Sequence, residues 1–166
     1  MAICLLPASI VRAQSRRDPL SPNEVEQLRK LAYQPDDRIK FYGQLLHERL
    51  IAIQIPPKPI PGITPPSRAQ QIHDSMQDFT FIVDELEDTM DDYTDRHADM
   101  RLGLKELLKE SPHWESTLKL PPPNNTYEFA RKEALDAASD LHDSVVELLA
   151  QQEKEVAAQK KQEKGH

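Results

Sequence analysis

Residues 67–95, SRAQQIHDSMQDFTFIVDELEDTMDDYTD, carry the hydrophobic pattern that decides the fold class. Their apolar side chains recur every three or four positions, which is the spacing of one face of an α-helix. This stripe consists of Ile72, Met76, Phe79, Val83, Leu86, Met90 and Tyr93. Ser67 is a suitable N-cap for the helix. Because Phe81 lies nearly opposite the stripe, we expect the short N-terminal helices to cover it.

The residues before this helix predict two more helices. Ser21 and Glu24 match a capping box, and Pro22 occupies the first helical position, so a short helix is expected there. Pro35 begins a second helix, because proline is well tolerated in a first turn. The apolar stripe of this second helix runs to about Ile55.

Two helices follow a predicted turn near residues 97–99. The fourth helix has an apolar stripe of Met100, Leu104, Leu107, Leu108, Trp114 and Leu118. Pro112 interrupts it, which predicts a kink or a restart with Ser111 as the new cap. The fifth helix has the most regular spacing, at Tyr127, Ala130, Ala134, Ala137, Leu141, Val145, Leu148 and Leu149.

Composition agrees with this all-α assignment. The 166 residues suffice for one domain, and 5% aromatic with 30% charged residues suits soluble helices better than sheets. Residues 56–66, PPKPIPGITPP, contain six prolines and predict an extended connector. We therefore predict an antiparallel bundle of about four to five helices, with this connector between the second and third. Residues 14–155 form its single domain, and the polar residues 156–166 extend the last helix before fraying.

The N-terminus resembles a secretory signal peptide. Residues 2–11, AICLLPASIV, are apolar but too short to span a bilayer, and Val11-Arg12-Ala13 matches the small-residue cleavage pattern. We expect residues 1–13 to be removed, giving a secreted or periplasmic chain that starts at Gln14 and has no membrane span. No basic residue precedes the apolar run, so a frayed cytosolic N-terminus is the alternative. Cys4 is the only cysteine, so the mature chain would have no disulfide, thiolate metal site or cysteine nucleophile.

Acidic residues are concentrated in the third helix. Residues 84–95, DELEDTMDDYTD, contain seven carboxylates and no basic residue. The helical spacing places five aspartates away from the apolar stripe: Asp84, Asp88, Asp91, Asp92 and Asp95. A single helix cannot surround an ion with the six to eight oxygens of a calcium site, so a solvated face is the main interpretation. Weak attraction of divalent cations or polycations is the alternative. A hairpin would also bring Arg101, Lys105 and Lys109 alongside these aspartates, through weak edge contacts.

Other chemistries have little support in the sequence. The histidines are His47, His73, His97, His113, His142 and His166, and no two of them have metal-binding i, i+4 spacing. Glu110 and His113 have the ExxH spacing of di-iron bundles, but Pro112 lies between them and no second copy exists. Neither a nucleophile elbow nor a glycine-rich phosphate loop is present. Trp114 is expected to be a core anchor, with ligand stacking as the alternative.

These observations favour a non-catalytic protein without a cofactor or metal. The net charge of −7 disfavours nucleic acid, whose phosphates would be repelled. We expect an interaction or structural module with a protein partner or self-association. The alternative is a weak cation binder that uses the aspartates of the third helix.

Overall fold

In the computed structural model, residues 18–164 are described except for residues 60 and 63. The predicted signal peptide, residues 1–13, lies outside this part. Five helices are formed: α1 (Pro22–Lys30), α2 (Pro35–Gln54), α3 (Arg68–Asp95), α4 (Arg101–Leu118) and α5 (Glu128–Lys164). Residues 18–164, apart from the two gaps, contain no β-strand. The predicted all-α fold class is therefore confirmed.

Side chains cap two of these helices as the sequence predicts. In α1, the backbone N–H of Ser21 donates to Glu24 Oε2 at 2.6 Å, and the N–H of Glu24 donates to Ser21 Oγ at 3.4 Å. In α3, Ser67 Oγ accepts from the N–H of Gln70 at 3.2 Å. Each cap satisfies amide groups that the first turn of a helix leaves without a partner.

A Schellman motif ends α3. The N–H of His97 donates to the carbonyl of Thr94, and the N–H of Ala98 donates to that of Tyr93, both at 2.9 Å. His97 has a φ of 52°, the left-handed conformation that usually favours glycine. Gln152 then holds this turn, donating to the Ala98 carbonyl at 2.8 Å and accepting from the N–H of Met100 at 3.0 Å.

Helices α2 to α5 form a four-helix bundle with an unexpected order of neighbours. Helix α2 packs against α3 and α4, and α5 also packs against α3 and α4. Consecutive helices run in opposite directions, as predicted. However, the side-by-side pair α2 and α4 is parallel, because His47 of α2 lies level with Glu110 of α4, and Gln54 lies level with Thr117. Helices α3 and α4 are diagonal in the bundle, although only a short turn joins them.

This diagonal placement corrects the expected contact between the basic residues of α4 and the aspartates of α3. Arg101 instead pairs with Asp99 at 2.6 Å, and Lys105 pairs with Glu153 of α5 at 2.8 Å. Lys109 pairs with Glu106 of its own helix at 2.7 Å. The hydrogen bond from Arg101 lowers the pKa of Asp99 to about 2. The expected contact assumed that α3 and α4 pack side by side, but α5 is the helix that packs against α4 there.

The core contains the predicted stripes with small shifts. All seven residues of the predicted α3 stripe are buried, and Ile82 is buried beside them. Phe81 is half-buried. Trp114 is 2% exposed and packs edge-on against Phe79, with ring centroids 6.3 Å apart, which supports its role as a core anchor. In α5, Ala138 is buried, whereas the predicted Ala137 is only half-buried.

Two glycines allow α2 and α4 to approach closely. A Cβ atom added at Gly103 would lie 2.9 Å from the Asp36 carbonyl oxygen and 2.9 Å from Ile39 Cβ. One added at Gly43 would lie 3.1 Å from Leu107 Cδ2. Asp36 Oδ1 also accepts from the N–H of Gly103 at 2.7 Å, so a carboxylate in the first turn of α2 caps α4.

Helix α4 continues through Pro112, so of the two predicted alternatives, a kink or a restart, the restart at Ser111 is wrong. Proline has no N–H, and the carbonyl of Leu108 therefore loses its usual donor four residues later. Ser111 Oγ donates to this carbonyl at 3.2 Å and also contacts His142 Nδ1 of α5 at 2.9 Å. The serine hydroxyl therefore replaces the backbone donor that proline lacks.

Two arginines fix the loops of the bundle. Arg68, at the start of α3, donates to the carbonyl of Ala52 at 2.9 Å and to that of Ile53, which lie in the last turn of α2. Arg131 of α5 donates to the carbonyls of Pro121 at 2.6 Å and Pro122 at 3.1 Å. Arg68 thereby joins the two helices on either side of the proline-rich connector, and Arg131 holds the prolines between α4 and α5 against α5. Among the helices described, none combines the length and apolar character needed to cross a membrane.

Candidate functional site

The five predicted aspartates lie on the exposed side of α3. Leu86 and Met90 of the same helix are buried, so the acidic residues point away from the core as the spacing predicts. The exposed residues are Asp84, Asp88, Asp91, Asp92 and Asp95. Asp92 pairs with Arg96 at 3.3 Å, one turn further along the helix. The sequence therefore placed these side chains correctly relative to the core.

Helix α5 adds acidic residues that the sequence analysis missed. Helices α3 and α5 run side by side in the same direction, and a groove of about 440 Å³ lies between them. Glu87 and Asp91 of α3 and Ser144 and Glu147 of α5 line this acidic groove. Ser144 Oγ donates to Glu87 Oε1 at 3.5 Å, which fixes the relative height of the two helices.

Partial burial and neighbouring carboxylates raise the pKa of two carboxyl groups at or beside the acidic groove. Partial burial and the neighbouring charge of Asp84 raise the pKa of Glu87, and the charges of Asp140 and Asp91 add to this effect. The hydrogen bond from Ser144 acts in the opposite direction. Burial and the charge of Asp88 raise the pKa of Asp84. The groove therefore has a negative potential that a cation would relieve.

The predicted aspartates contribute unequally to this groove. Asp91 lines it, and Asp84 acts on Glu87 from the preceding turn. Asp92 and Asp95 are not among its lining residues. Over the described ranges, no three or more histidine, cysteine or acidic side chains are arranged to hold a metal ion. The arrangement can attract cations over a distance, but it provides no cage of oxygen ligands.

A serine and a histidine meet between α4 and α5. Ser111 Oγ lies 2.9 Å from His142 Nδ1. This distance is typical of the serine–histidine hydrogen bond that activates a catalytic serine. However, Ser111 is only 7% exposed, and its hydroxyl already donates to the Leu108 carbonyl. A substrate could reach the oxygen only if the two helices separated. The pair therefore has a structural role in joining α4 to α5.

The ExxH spacing of Glu110 and His113 in α4 does not bring these two side chains together. Glu110 instead approaches His47 of α2, with Oε2 and Nδ1 3.9 Å apart. This contact lies in a groove of about 550 Å³ between α2 and α4, with Gly43 and Leu107 among its lining residues. Both side chains are about half exposed, at 58% for His47 and 49% for Glu110.

A second polar cluster lies where α1, α2 and α3 meet. Arg49 of α2 donates to Glu24 Oε1 and to the Pro19 carbonyl, both at 2.9 Å, and its Nε lies 3.8 Å from Asp78 Oδ2. Partial burial acts to raise the pKa of Glu24, but hydrogen bonds from Ser21 and Arg49 outweigh it and lower the pKa. The sequence gives no periodic signal for this cluster, because its members lie on three helices. These contacts attach α1 to the bundle.

Comparisons with known proteins found no match to a family model, to a curated protein or to a solved structure.

Proposed function

We propose that this chain is an exported, non-catalytic helical bundle that acts as an interaction or structural module in a secreted or periplasmic location. The observation that carries the proposal is that its polar side chains with little exposure hold the helices and loops together. Ser111 and Arg131 each bond to backbone carbonyls or to a neighbouring helix. Arg49 likewise joins three helices. These groups are committed to holding the bundle together, whereas catalytic groups require access to a substrate.

Export is tested by mass spectrometry of the mature N-terminus in the native host. Cleavage after Ala13 gives Gln14 as the first residue, and replacement of Ala13 by a bulky charged residue should block that cleavage. An uncleaved chain in the cytosolic fraction would reject the proposed location.

The interaction role is tested by cross-linking and purification of the full chain from the native envelope. A partner that is recovered at stoichiometric levels, or a self-associated form, supports the proposal. Recovery of only a monomer, together with turnover of a substrate by that monomer, would reject it.

The second proposed function is weak binding of divalent cations or polycations. The side-by-side packing of α3 and α5 supports it. Glu147 and Asp140 of α5 add negative charge beside Glu87 and Asp91 of α3. Calorimetry with calcium, zinc and polylysine provides the test. The double variant Asp91→Asn with Glu147→Gln should lose most of any binding heat, and Asp92→Asn is the matched control outside the acidic groove. No heat at roughly millimolar ligand, the weak end of known calcium sites, removes this function.

A further inference from the structure

The outer surface of the parallel pair α2 and α4 exposes apolar side chains at both of its ends. At one end, the start of α2 lies beside the start of α4, where Asp36 caps Gly103. At the other end, Gln54 Nε2 donates to Thr117 Oγ1 at 3.4 Å. The exposed apolar residues on or next to these two helices are Tyr33 and Leu102 at the first end, and Ile51, Ile55 and Leu120 at the second.

Between these apolar ends, basic and acidic side chains lie level with each other. Lys40, His47 and Glu48 of α2 and Glu106 and Glu110 of α4 line the groove between the helices. The contact of His47 with Glu110 shows that these positions are at the same height. At two levels of the groove, a basic residue of α2 therefore lies beside a carboxylate of α4: Lys40 with Glu106, and His47 with Glu110.

We propose that this surface, the α2–α4 face, joins two copies of the chain in a parallel two-fold dimer. A two-fold axis that runs along the helices places α2 of one copy over α4 of the other copy at the same height. Lys40 then meets Glu106 of the second copy, and His47 meets its Glu110. The apolar ends meet in the same way, with Tyr33 over Leu102 of the second copy.

Two further charged residues near the α2–α4 face can pair in the same way. Glu48 of α2 is 62% exposed, and Lys109 of α4 is 66% exposed. Glu48 lines the groove on the α2 side, and Lys109 lies, by helical spacing, on the side of α4 that faces away from the groove. In the dimer, Glu48 of one copy meets Lys109 of the other copy, as a third pair of opposite charges. Lys40 and Lys109 also have partners within their own chain, Asp37 and Glu106, at exposed positions where a second carboxylate can share the charge.

The dimensions of the face set the expected affinity. Helices of 20 and 18 residues are about 30 Å long, and two adjacent helices are about 20 Å wide, so each copy would bury roughly 600 Å². A total near 1,200 Å² is at the lower limit of specific interfaces. Interfaces at this limit are typical of weak or transient association, so a reversible dimer is expected.

This inference rests on the proposed function, since it names the partner of the interaction module as a second copy. It is tested on the full chain by sedimentation equilibrium from about 1 to about 200 μM, the range expected for an interface of this size. Lys40→Glu and Glu106→Lys should each weaken the dimer about tenfold, because symmetry introduces each like-charge contact twice. An equimolar mixture of the two variants should restore dimerisation, since both contacts between unlike copies then have opposite charges.

Lys132→Glu, at an exposed position of α5, is the matched control and should leave the dissociation constant unchanged. Circular dichroism of each variant verifies that the fold is retained. A chain that remains monomeric throughout the concentration range overturns the inference, as does a dimer that both reversals leave intact or that mixing fails to restore. If a different protein is captured from the envelope while the chain remains monomeric, the proposed function stands and only the self-association fails.

Discussion

The close approach of α2 and α4 makes Gly103→Ala the most informative single substitution. In an exposed helix interior this change would stabilise the protein by about 1 kcal/mol, because alanine is the better helix former. Here the new Cβ would lie 2.9 Å from the Asp36 carbonyl oxygen and 2.9 Å from Ile39 Cβ. A backbone atom and a branched Cβ cannot move aside without displacing α2, and overpacking of this kind costs about 1–3 kcal/mol.

The displacement would also lengthen the 2.7 Å hydrogen bond from the N–H of Gly103 to Asp36, and loss of a helix cap costs about 1 kcal/mol. Taken together, these effects predict a net loss of about 1–3 kcal/mol in the free energy of unfolding. For a domain of this size, that corresponds to a decrease in Tm of roughly 2–12 °C. Urea denaturation followed by circular dichroism measures the change.

Gly43→Ala is the matched control on the other side of the same contact. Its new Cβ would lie 3.1 Å from Leu107 Cδ2, the far end of a side chain that can rotate away. The gain in helix propensity then offsets the strain, and stability should change by less than about 1 kcal/mol. If Gly103→Ala proved as stable as the unmodified chain, the close parallel packing of α2 and α4 would be refuted.

Three further predictions address the loops and the acidic groove. Arg131→Met removes the donors to two proline carbonyls and should destabilise the fold by about 2–3 kcal/mol in urea denaturation, whereas exposed Lys132→Met should have no effect. His97→Gly should raise the stability by about 1 kcal/mol, because glycine adopts a φ of 52° without a steric penalty. Glu87→Gln should stabilise the fold at pH 7 by about 0.4–1 kcal/mol, since it removes two like-charge contacts on α3.

The pH dependence of the Glu87→Gln effect follows from the direction of the pKa shift. The pKa of Glu87 is raised in the folded chain, so its carboxylate opposes folding at neutral pH. This penalty disappears as the pH falls below 4.5, the ordinary pKa of a glutamate side chain, where the group is protonated in both states. Urea denaturation at pH 7 and at about pH 4 should show the advantage of glutamine only at the higher pH. An equal advantage at both values contradicts the electrostatic explanation.

The sequence predicts the helices better than their arrangement. Periodic spacing identifies the buried face of α3 from Ile72 to Tyr93, because each helix must bury one apolar stripe whatever its neighbours are. The same spacing carries no information about which helix covers that stripe. The parallel contact of α2 with α4 depends on Gly43 and Gly103, which are 60 positions apart and have no local pattern in common.

For the candidate site too, the sequence predicts the features of a single helix but not those that depend on two helices. The aspartates of α3 are exposed as predicted, since burial depends on the period of a single helix. The acidic groove also needs Glu147 of α5, and its position beside Asp91 follows only from the pairing of the two helices. Similarly, the proline rule predicts a kink or a restart at Pro112, but the Ser111 hydroxyl donates to the Leu108 carbonyl within a continuous helix. The contact of Ser111 with His142 follows only from the pairing of α4 with α5.

The order of neighbours around the bundle also has a kinetic consequence. Helices α2 and α3, and likewise α4 and α5, are adjacent in the chain, so each hairpin can form after a small loop has closed. The parallel contact of α2 with α4 requires both hairpins to meet, and it is therefore expected late on the folding pathway. Gly103→Ala should then accelerate unfolding in stopped-flow experiments while leaving the refolding rate nearly unchanged. The joint between the two hairpins, and not either hairpin itself, would determine how long the native bundle persists.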